Sequence, residues 1–493
     1  MSAIDLSLIS HTNIGKTTLA RTLLRRDVGD IRDGAHVTDA ATGYTLIESS
    51  GGDTLRLWDT PGFGDSARLL RRLRRSDNPL GWFLTQVWDR YADRPFFSSQ
   101  LAVRNVRDAA DVVLYLVNAA EDPAGSGYLD PEMQILGWTG KPILVLLNQL
   151  GAPRPAEQER AEVERWAAHL AGYPWVRGTL AFDAFARCWV QEHALLERIG
   201  AALPESARET FARLGAAWRA RNEEVFRRSV DLLATELAAV AGDGDEVATP
   251  KLGETARAWL IAFARGERAD AGLDAAMRAL AGRADTRIRQ ATDGLIALHG
   301  LSGSAAAEIR SRVATDFVVD AAADTGKAGV IGAAVSGALG GLVADLAAGG
   351  LTFGAGALVG GLLGAAGARG LAQAYNLMRG TETSTVRWSS DVRSKLVTAA
   401  GLRYLAVAHF GRGRGDFVQS ENPAHWRSVV EAAVNAEAAA LEEVWAAADR
   451  GEAPEALARR LRAVIERELR AVMAELYRHD DSSAFLPGPG SRP

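Results

Sequence analysis

The stretch Ser10-His11-Thr12-Asn13-Ile14-Gly15-Lys16-Thr17-Thr18-Leu19 decides how the front of this chain is read. Ahead of it, IDLSLIS is a short, half-alternating apolar run that predicts a strand. Behind it, TTLARTLLRR has the spacing of a helix. A strand, a Gly-Lys-Thr turn and a helix follow one another as in a phosphate-binding loop, G-x-x-x-x-G-K-[ST]. Such a loop turns backbone N–H groups towards an anion, and the positive end of the helix adds to the field. Gly15, Lys16 and Thr17 satisfy the second half of the pattern. Ser10 stands where the first glycine belongs, and a small residue with negative φ is tolerated at a strand end. On this reading Ser10, Asn13, Ile14, Gly15, Lys16, Thr17 and Thr18 line the phosphates. Lys16 reaches the β- and γ-phosphates, and the Thr17 hydroxyl binds Mg²⁺. A purely structural turn is the competing reading.

A second segment favours the first of these. YTLIES and DTLRLWD flank SGGD and predict a hairpin, after which comes Asp59-Thr60-Pro61-Gly62. Asp59 is expected to hold Mg²⁺ through water, and the Gly62 N–H to sense the γ-phosphate. Between the two segments, AHVTDAAT offers Thr38 as the hydroxyl that completes the Mg²⁺ shell. Thr42 and Thr45 are rivals, and all three also read as ordinary loop threonines. Farther on, DVVLYLVN and KPILVLLNQ are almost wholly apolar, as parallel strands buried on both faces are. Strands separated by helical stretches predict an α/β sheet with crossovers.

GKT, then DTPG, then an apolar strand ending in Asn148 resembles the translation-factor-related GTPases of the Era and TrmE kind. The resemblance covers residues 1–190. It implies a P-loop NTPase sheet with flanking helices, GTP or GDP with Mg²⁺ as ligand, and Lys16, Thr38 and Gly62 as catalytic residues. In that family the residue after DxxG is usually hydrophobic, and Phe63 follows the habit. The resemblance therefore implies a slow nucleotide switch, helped by a protein regulator, a homodimer contact or a cation. The base-reading place N-K-x-D reads Asn148-Gln149-Leu150-Gly151. The missing carboxylate would accept two hydrogen bonds from guanine, a charge-assisted pair that dominates discrimination against adenine. Asp183 is the candidate substitute, and capping a helix is its alternative role. GTP remains the expected ligand, with an NTPase lacking guanine selectivity as the alternative.

The organisation expected is a G domain over 1–200 with an insert at about 64–100, a helical domain over 201–480, and a disordered tail at 481–493. Beyond residue 195 the layout resembles bacterial proteins that fuse such a GTPase domain to an uncharacterised alanine-rich helical domain. In the insert, Arg68, Arg71, Arg72, Arg74 and Arg75 interleave with Leu69, Leu70 and Leu73. Three readings stand: a solvated amphipathic helix, a basic face for anionic lipid or RNA, and an arginine acting on the γ-phosphate.

Between Lys327 and Arg369 the only charge is Asp345, which leaves the apolar stretches 328–344 and 346–368. Both are near the ~17-residue lower limit for a bilayer span. Gly337 and Gly341, Gly350 and Gly354, and Gly356, Gly360 and Gly364 have the spacing of close helix packing. The segment 326–370 is read as a helical hairpin in contact with a membrane, or as one buried in the helical domain. A membrane-anchored interaction protein with a degenerate nucleotide site is thus the other function carried forward. The 56 Lys+Arg against 61 Asp+Glu argue against a chain built to coat nucleic acid, while a local RNA or ribosome contact is compatible with them. One cysteine, Cys188, excludes an internal disulfide framework. No basic run precedes the first apolar residues, so a cytoplasmic location is expected, at the inner face of the membrane if 326–370 touches it. The histidines show no metal-ligand spacing, and no structural metal site is expected.

Overall fold

A computed structural model of the chain describes residues 2–26, 28, 41–75, 77–85, 94–151, 154–184, 188–248, 271–301, 375–379, 383–410 and 424–477. They divide into two compact units. The first takes in Met1–Glu224 with short segments at Ala408–Val418 and Leu476–Pro493, and the second Val225–Val407 and Gln419–Glu475.

In the first unit, β4 (Val112–Asn118) and β5 (Ile143–Asn148) lie at the centre of a sheet and are buried along nearly their whole length. Their side chains alternate between two cores. Val113, Tyr115, Val117, Val145 and Leu147 share one core with Phe63, Leu69 and Phe96. Val112, Leu114, Leu116, Leu144 and Leu146 share the other with Leu19, Leu196 and Trp218. This is why the two segments read as continuous apolar runs.

The full order is β2-β3-β1-β4-β5-β6, with β1 (Ala3–Ser10), β2 (Thr42–Glu48), β3 (Thr54–Asp59) and β6 (Val176–Ala181). All pairs are parallel except β2 with β3, the expected hairpin. The first helix is α1 (Lys16–Leu24), directly after β1. Three more, α2 (Ser66–Leu73), α3 (Pro79–Thr85) and α4 (Arg94–Asp108), separate β3 from β4. Then come α5 (Leu129–Gly137), α6 (Ala156–Leu170) and α7 (Trp189–Ala202). Because β1 has β3 on one side and β4 on the other, the chain leaves it at the point where strand order reverses. Ligands of open α/β sheets bind at that point, outside the strands' carboxyl ends.

Helix α8 (Glu205–Ala241) begins in the first unit, where Phe211, Leu214 and Trp218 are core residues, and runs on into the second. The second unit holds α9 (Ala271–Leu298), α10 (Ser390–Ala408), α11 (Ala424–Ala436), α12 (Ala438–Asp449) and α13 (Pro454–Leu476). It also holds an antiparallel sheet that the helical texture of the sequence did not announce. Its order is β7-β9-β8, with β7 (Gly244–Ala248), β8 (Tyr375–Arg379) and β9 (Thr383–Trp388). In β9, Ser384, Val386 and Trp388 are buried and alternate with half-buried Thr385 and Arg387. That period of two is carried by only six residues. The segment 326–370 lies outside the described residues. Among the described residues no helix is long and apolar enough to cross a membrane.

Glu468, on α13, is an unusual core residue. It is buried, and neither carboxyl oxygen has a hydrogen-bond partner among the described residues. A Cβ on Gly401 would lie 2.7 Å from its Oε1, so the carboxyl is packed against bare helix backbone. Burial, with the charge of Glu437 adding to it, pushes this carboxyl well above the usual range. A carboxyl protonated more readily in the folded state makes stability fall as pH rises above ~4.3, where the unfolded residue ionises. Glu468→Met is expected to stabilise the second unit by about 1–3 kcal/mol at pH 7 and to remove that slope. Denaturant unfolding at pH 5 and pH 7 checks both.

Candidate nucleotide site

The turn from β1 into α1 has Asn13 at φ 64° and Gly15 at φ 97°. Gly15 is needed twice over. Its φ is left-handed, and a Cβ there would come 2.8 Å from Asn148 Nδ2. Ile14 and Thr18 are buried behind the loop.

Asn148 fastens the loop from behind. Its Nδ2 donates to the Ile14 carbonyl at 2.6 Å, and its Oδ1 accepts from the Ala184 amide at 2.8 Å. One fully buried side chain at the end of β5 therefore ties the phosphate loop to the segment after β6. It holds the loop in shape.

Lys16 opens α1 and is buried. Its ammonium donates to Ser10 Oγ at 2.9 Å, and the Ser10 hydroxyl donates to the His11 carbonyl. The sequence pattern treats Ser10 as a tolerated departure. Its hydroxyl in fact caps the lysine that a glycine would leave uncovered. Burial lowers the Lys16 pKa to about 8, against the opposing charges of Asp59 and Glu132. Between about 8 and the ordinary lysine value, an unfolded chain holds more protons at this residue. Lys16 burial therefore costs stability at neutral pH, and the cost shrinks as pH rises through that window. Phosphate binding needs the charged form. Nucleotide affinity is expected to fall as pH rises through about 8, with proton uptake on binding near that pH. Calorimetry in buffers of different ionisation enthalpy reads the uptake directly.

The Thr17 hydroxyl donates to Asp59 Oδ2 at 2.7 Å. Asp59 sits at the end of β3, next to β1, and is buried. Its Oδ1 has no partner among the described residues. Burial holds its carboxyl above the usual range, opposed by the Thr17 hydroxyl and the charges of Lys16 and Arg21. A hydroxyl and a carboxylate with an orphaned buried oxygen are oxygen donors suited to a hard cation such as Mg²⁺.

Gly62 lies against the loop: a Cβ there would be 3.0 Å from both Lys16 Nζ and Thr12 Cα. The Phe63 amide donates to the Ser10 carbonyl at 2.9 Å, and Phe63 pairs with His11 in an isolated bridge. The Phe63 side chain is a fully buried hydrocarbon ring with no donor or acceptor to orient a water.

Thr38 lies outside the described residues. Thr42 is exposed and in register with Asp59, whereas Thr45 pairs with Arg56 farther down the strand. On the base side, Gln149 has φ 58° and Gly151 φ 84°, with open space around Gly151. Asp183 is buried, and its Oδ2 accepts from the Leu150 amide at 2.6 Å. It braces the loop after β5, and the next described helix, α7, begins at Trp189 with Cys188 at its N-cap.

In α2, Leu69, Leu70 and Leu73 are buried while Arg71 and Arg72 are exposed, as are Arg74 and Arg75 just beyond its end. Arg68 lies 4.8 Å from the centre of the Phe96 ring and Arg72 5.7 Å from that of Trp82. These are the contacts of an amphipathic helix packed on its own domain.

The match that decides the family begins at β6 and takes in Asp183. Residues 176–478 match a family described as a domain of unknown function, DUF3482. The chain belongs to that family. Its N-terminal region is a GTPase domain: residues 5–149 match the family described as 50S ribosome-binding GTPase. Among curated proteins none matches. Among solved structures, Era in complex with MgGDPNP and a 16S ribosomal RNA segment is 18% identical, over 42% of this chain and 58% of that one, with a TM-score of 0.32. An Aquifex aeolicus Era variant bound to GDP·AlF4⁻ is 19% identical over the same shares, with a TM-score of 0.31. NFeoB of S. thermophilus bound to mGMPPNP is 15% identical over 45% of this chain and 88% of that one, with a TM-score of 0.23. This DUF3482 chain thus spans under two thirds of the Era chains.

Proposed function

We infer that the first unit binds a guanine nucleotide with Mg²⁺ and hydrolyses it, as a switch read by the helical region. The observation that carries this reading is the meeting of Thr17 and Asp59 beside a buried Lys16, with Asp59 Oδ1 left without a partner. A structural turn gains nothing from a buried carboxylate oxygen that is left unsatisfied, and such a group costs stability. Mg²⁺, when bound, supplies charge neutralisation on the phosphates. Thr17 and Asp59 would hold it, with Thr38 as the proposed switch threonine and Thr42 or Thr45 as rivals. Lys16 would face the β- and γ-phosphates, and the Gly62 amide the γ-phosphate. With Phe63 buried, intrinsic turnover is slow, and help comes from a regulator, a second copy or a cation. Membrane contact through 326–370 belongs to the same proposal, as the place where the switch is read.

A second reading concerns the base. Gly151 supplies no carboxylate, and Asp183 is engaged by the Leu150 amide. This favours weaker guanine selectivity than the N-K-x-D pattern confers. The test of hydrolysis is phosphate release from GTP by the purified full chain, with and without Mg²⁺. Mg²⁺-dependent release is expected, and release that ignores Mg²⁺ would count against the assignment of Thr17 and Asp59.

A further inference from the structure

Thr17 and Asp59 sit on elements whose other ends are both bonded to α8. Thr17 is in the first turn of α1, and Arg25 caps the other end of that helix, about 12 Å away. Arg25 Nη2 donates to Asn222 Oδ1 at 2.6 Å and lies 3.6 Å from Glu192 Oε1. Glu192, fully buried on α7, accepts through Oε2 from Asn222 Nδ2 at 2.8 Å and from Trp218 Nε1 at 2.5 Å. Asp59 ends β3, and Asp53 stands just before that strand begins. Arg213 Nε donates to Asp53 Oδ2 at 2.8 Å. The register between β2 and β3 slips between Thr45 and Ile47, which leaves Leu46 as the extra residue of a bulge. Its carbonyl accepts from Arg221 Nη1 at 3.2 Å. Arg213, Trp218, Arg221 and Asn222 all lie on the part of α8 that belongs to the first unit.

We propose that the first part of α8 senses bound nucleotide through the far ends of α1 and of the β2–β3 hairpin. This rests on the nucleotide reading above. At the site, one 2.7 Å hydrogen bond joins Thr17 of α1 to Asp59 of β3. A cation that engages the Thr17 hydroxyl and the second Asp59 oxygen resets the spacing of that helix and that strand. A short helix moves as one body, so a shift at Thr17 arrives at Arg25. On the other side, β2 is an edge strand paired with β3 alone, and its bulge is where the ladder is already interrupted. Arg221 holds that place by one bond, since its Nε and Nη2 are buried with no partner among the described residues. The hairpin therefore gives there more readily than in its regular ladder. Bonded to both elements, α8 registers their relative movement, and its backbone continues into the second unit.

Hydrogen–deuterium exchange of the full chain tests this, read over residues 205–224 with and without saturating Mg²⁺ and a non-hydrolysable GTP analogue. Wild-type protein is expected to change its exchange over 205–224 on binding. Arg25→Met cuts the tie to α1, and Arg213→Met combined with Arg221→Met cuts the ties to the hairpin. In each the change is expected to fall by at least half, with nucleotide still bound at saturation. Arg208→Met, at an exposed arginine of the same helix, is expected to keep the full response. Arg213 is partly exposed, so its single variant remains informative if a buried substitution disturbs folding. The proposal is overturned if wild-type protein binds the analogue without a change over 205–224. It is equally overturned if the change persists when both sets of ties are cut, or if Arg208→Met abolishes it as fully as they do. Failure of the wild-type chain to bind any nucleotide would instead sink the nucleotide reading, and this proposal with it.

Discussion

Lys16→Ala is expected to weaken Mg²⁺-nucleotide binding by about 100-fold or more, while the empty protein loses no stability at pH 7. The size of the first effect follows from losing charge-assisted hydrogen bonds to phosphate, worth ~3 kcal/mol, or about two decades in affinity. The second follows from where the lysine sits. Its ammonium is buried and meets one neutral hydroxyl, that of Ser10. Its pKa is drawn down to about 8, chiefly by burial. The empty fold therefore bears a cost for holding this charge ready, and alanine removes it. Nucleotide titration and denaturant unfolding of the same two proteins separate the effects. A structural lysine would show the reverse: lost stability and unchanged binding.

The largest stability effect is expected in the second unit, at Arg403. Its guanidinium makes two 2.7 Å hydrogen bonds to the Glu236 carboxylate, with side-chain exposures of only 2% and 3%. It also donates to the Ile288 carbonyl at 3.1 Å. One side chain on α10 therefore ties α8 to α9. Arg403→Ala is expected to destabilise this unit by about 3–5 kcal/mol, because it strands a buried carboxylate. Burial already raises the Glu236 pKa, and Arg403 is the charge that opposes it. Without the arginine the carboxyl takes up a proton more readily on folding, so the loss should grow as pH rises from 5 to 8. Pairing Arg403→Met with Glu236→Leu should recover most of it. Denaturant unfolding at the two pH values measures each.

The phosphate loop, the hairpin before Asp59 and the two central strands were legible in the sequence because each is written in consecutive residues. Gly15, Lys16 and Thr17 adjoin one another, and β4 and β5 declare their burial by composition alone. What the sequence concealed is made by contacts across the sheet. Asn148 reads as part of the base-reading place, and nothing in that pattern tells that its side chain also fastens Ile14, 134 positions away. Glu132 carries no local signal at all. The order β3-β1-β4 and the packing of α5 bring His11 within 2.7 Å of it across 121 positions. Ser10 looked like a departure because a pattern records which residue is missing and not what a new hydroxyl can bond. The small sheet of the second unit stayed hidden for another reason. Its strands β7 and β9 are separated by more than a hundred positions, and β9 has too few residues to set its period apart from the surrounding helices.

The central claim is that this loop is a working nucleotide site. It is tested most directly by equilibrium binding of a fluorescent guanine nucleotide to the full chain in Mg²⁺, with competition by unlabelled GTP and ATP. Saturable binding displaced by GTP at lower concentration than ATP is the expected result. Equal displacement by both would remove the guanine assignment and keep the phosphate site, as the Gly151 position allows. No saturable binding of either nucleotide would contradict the account.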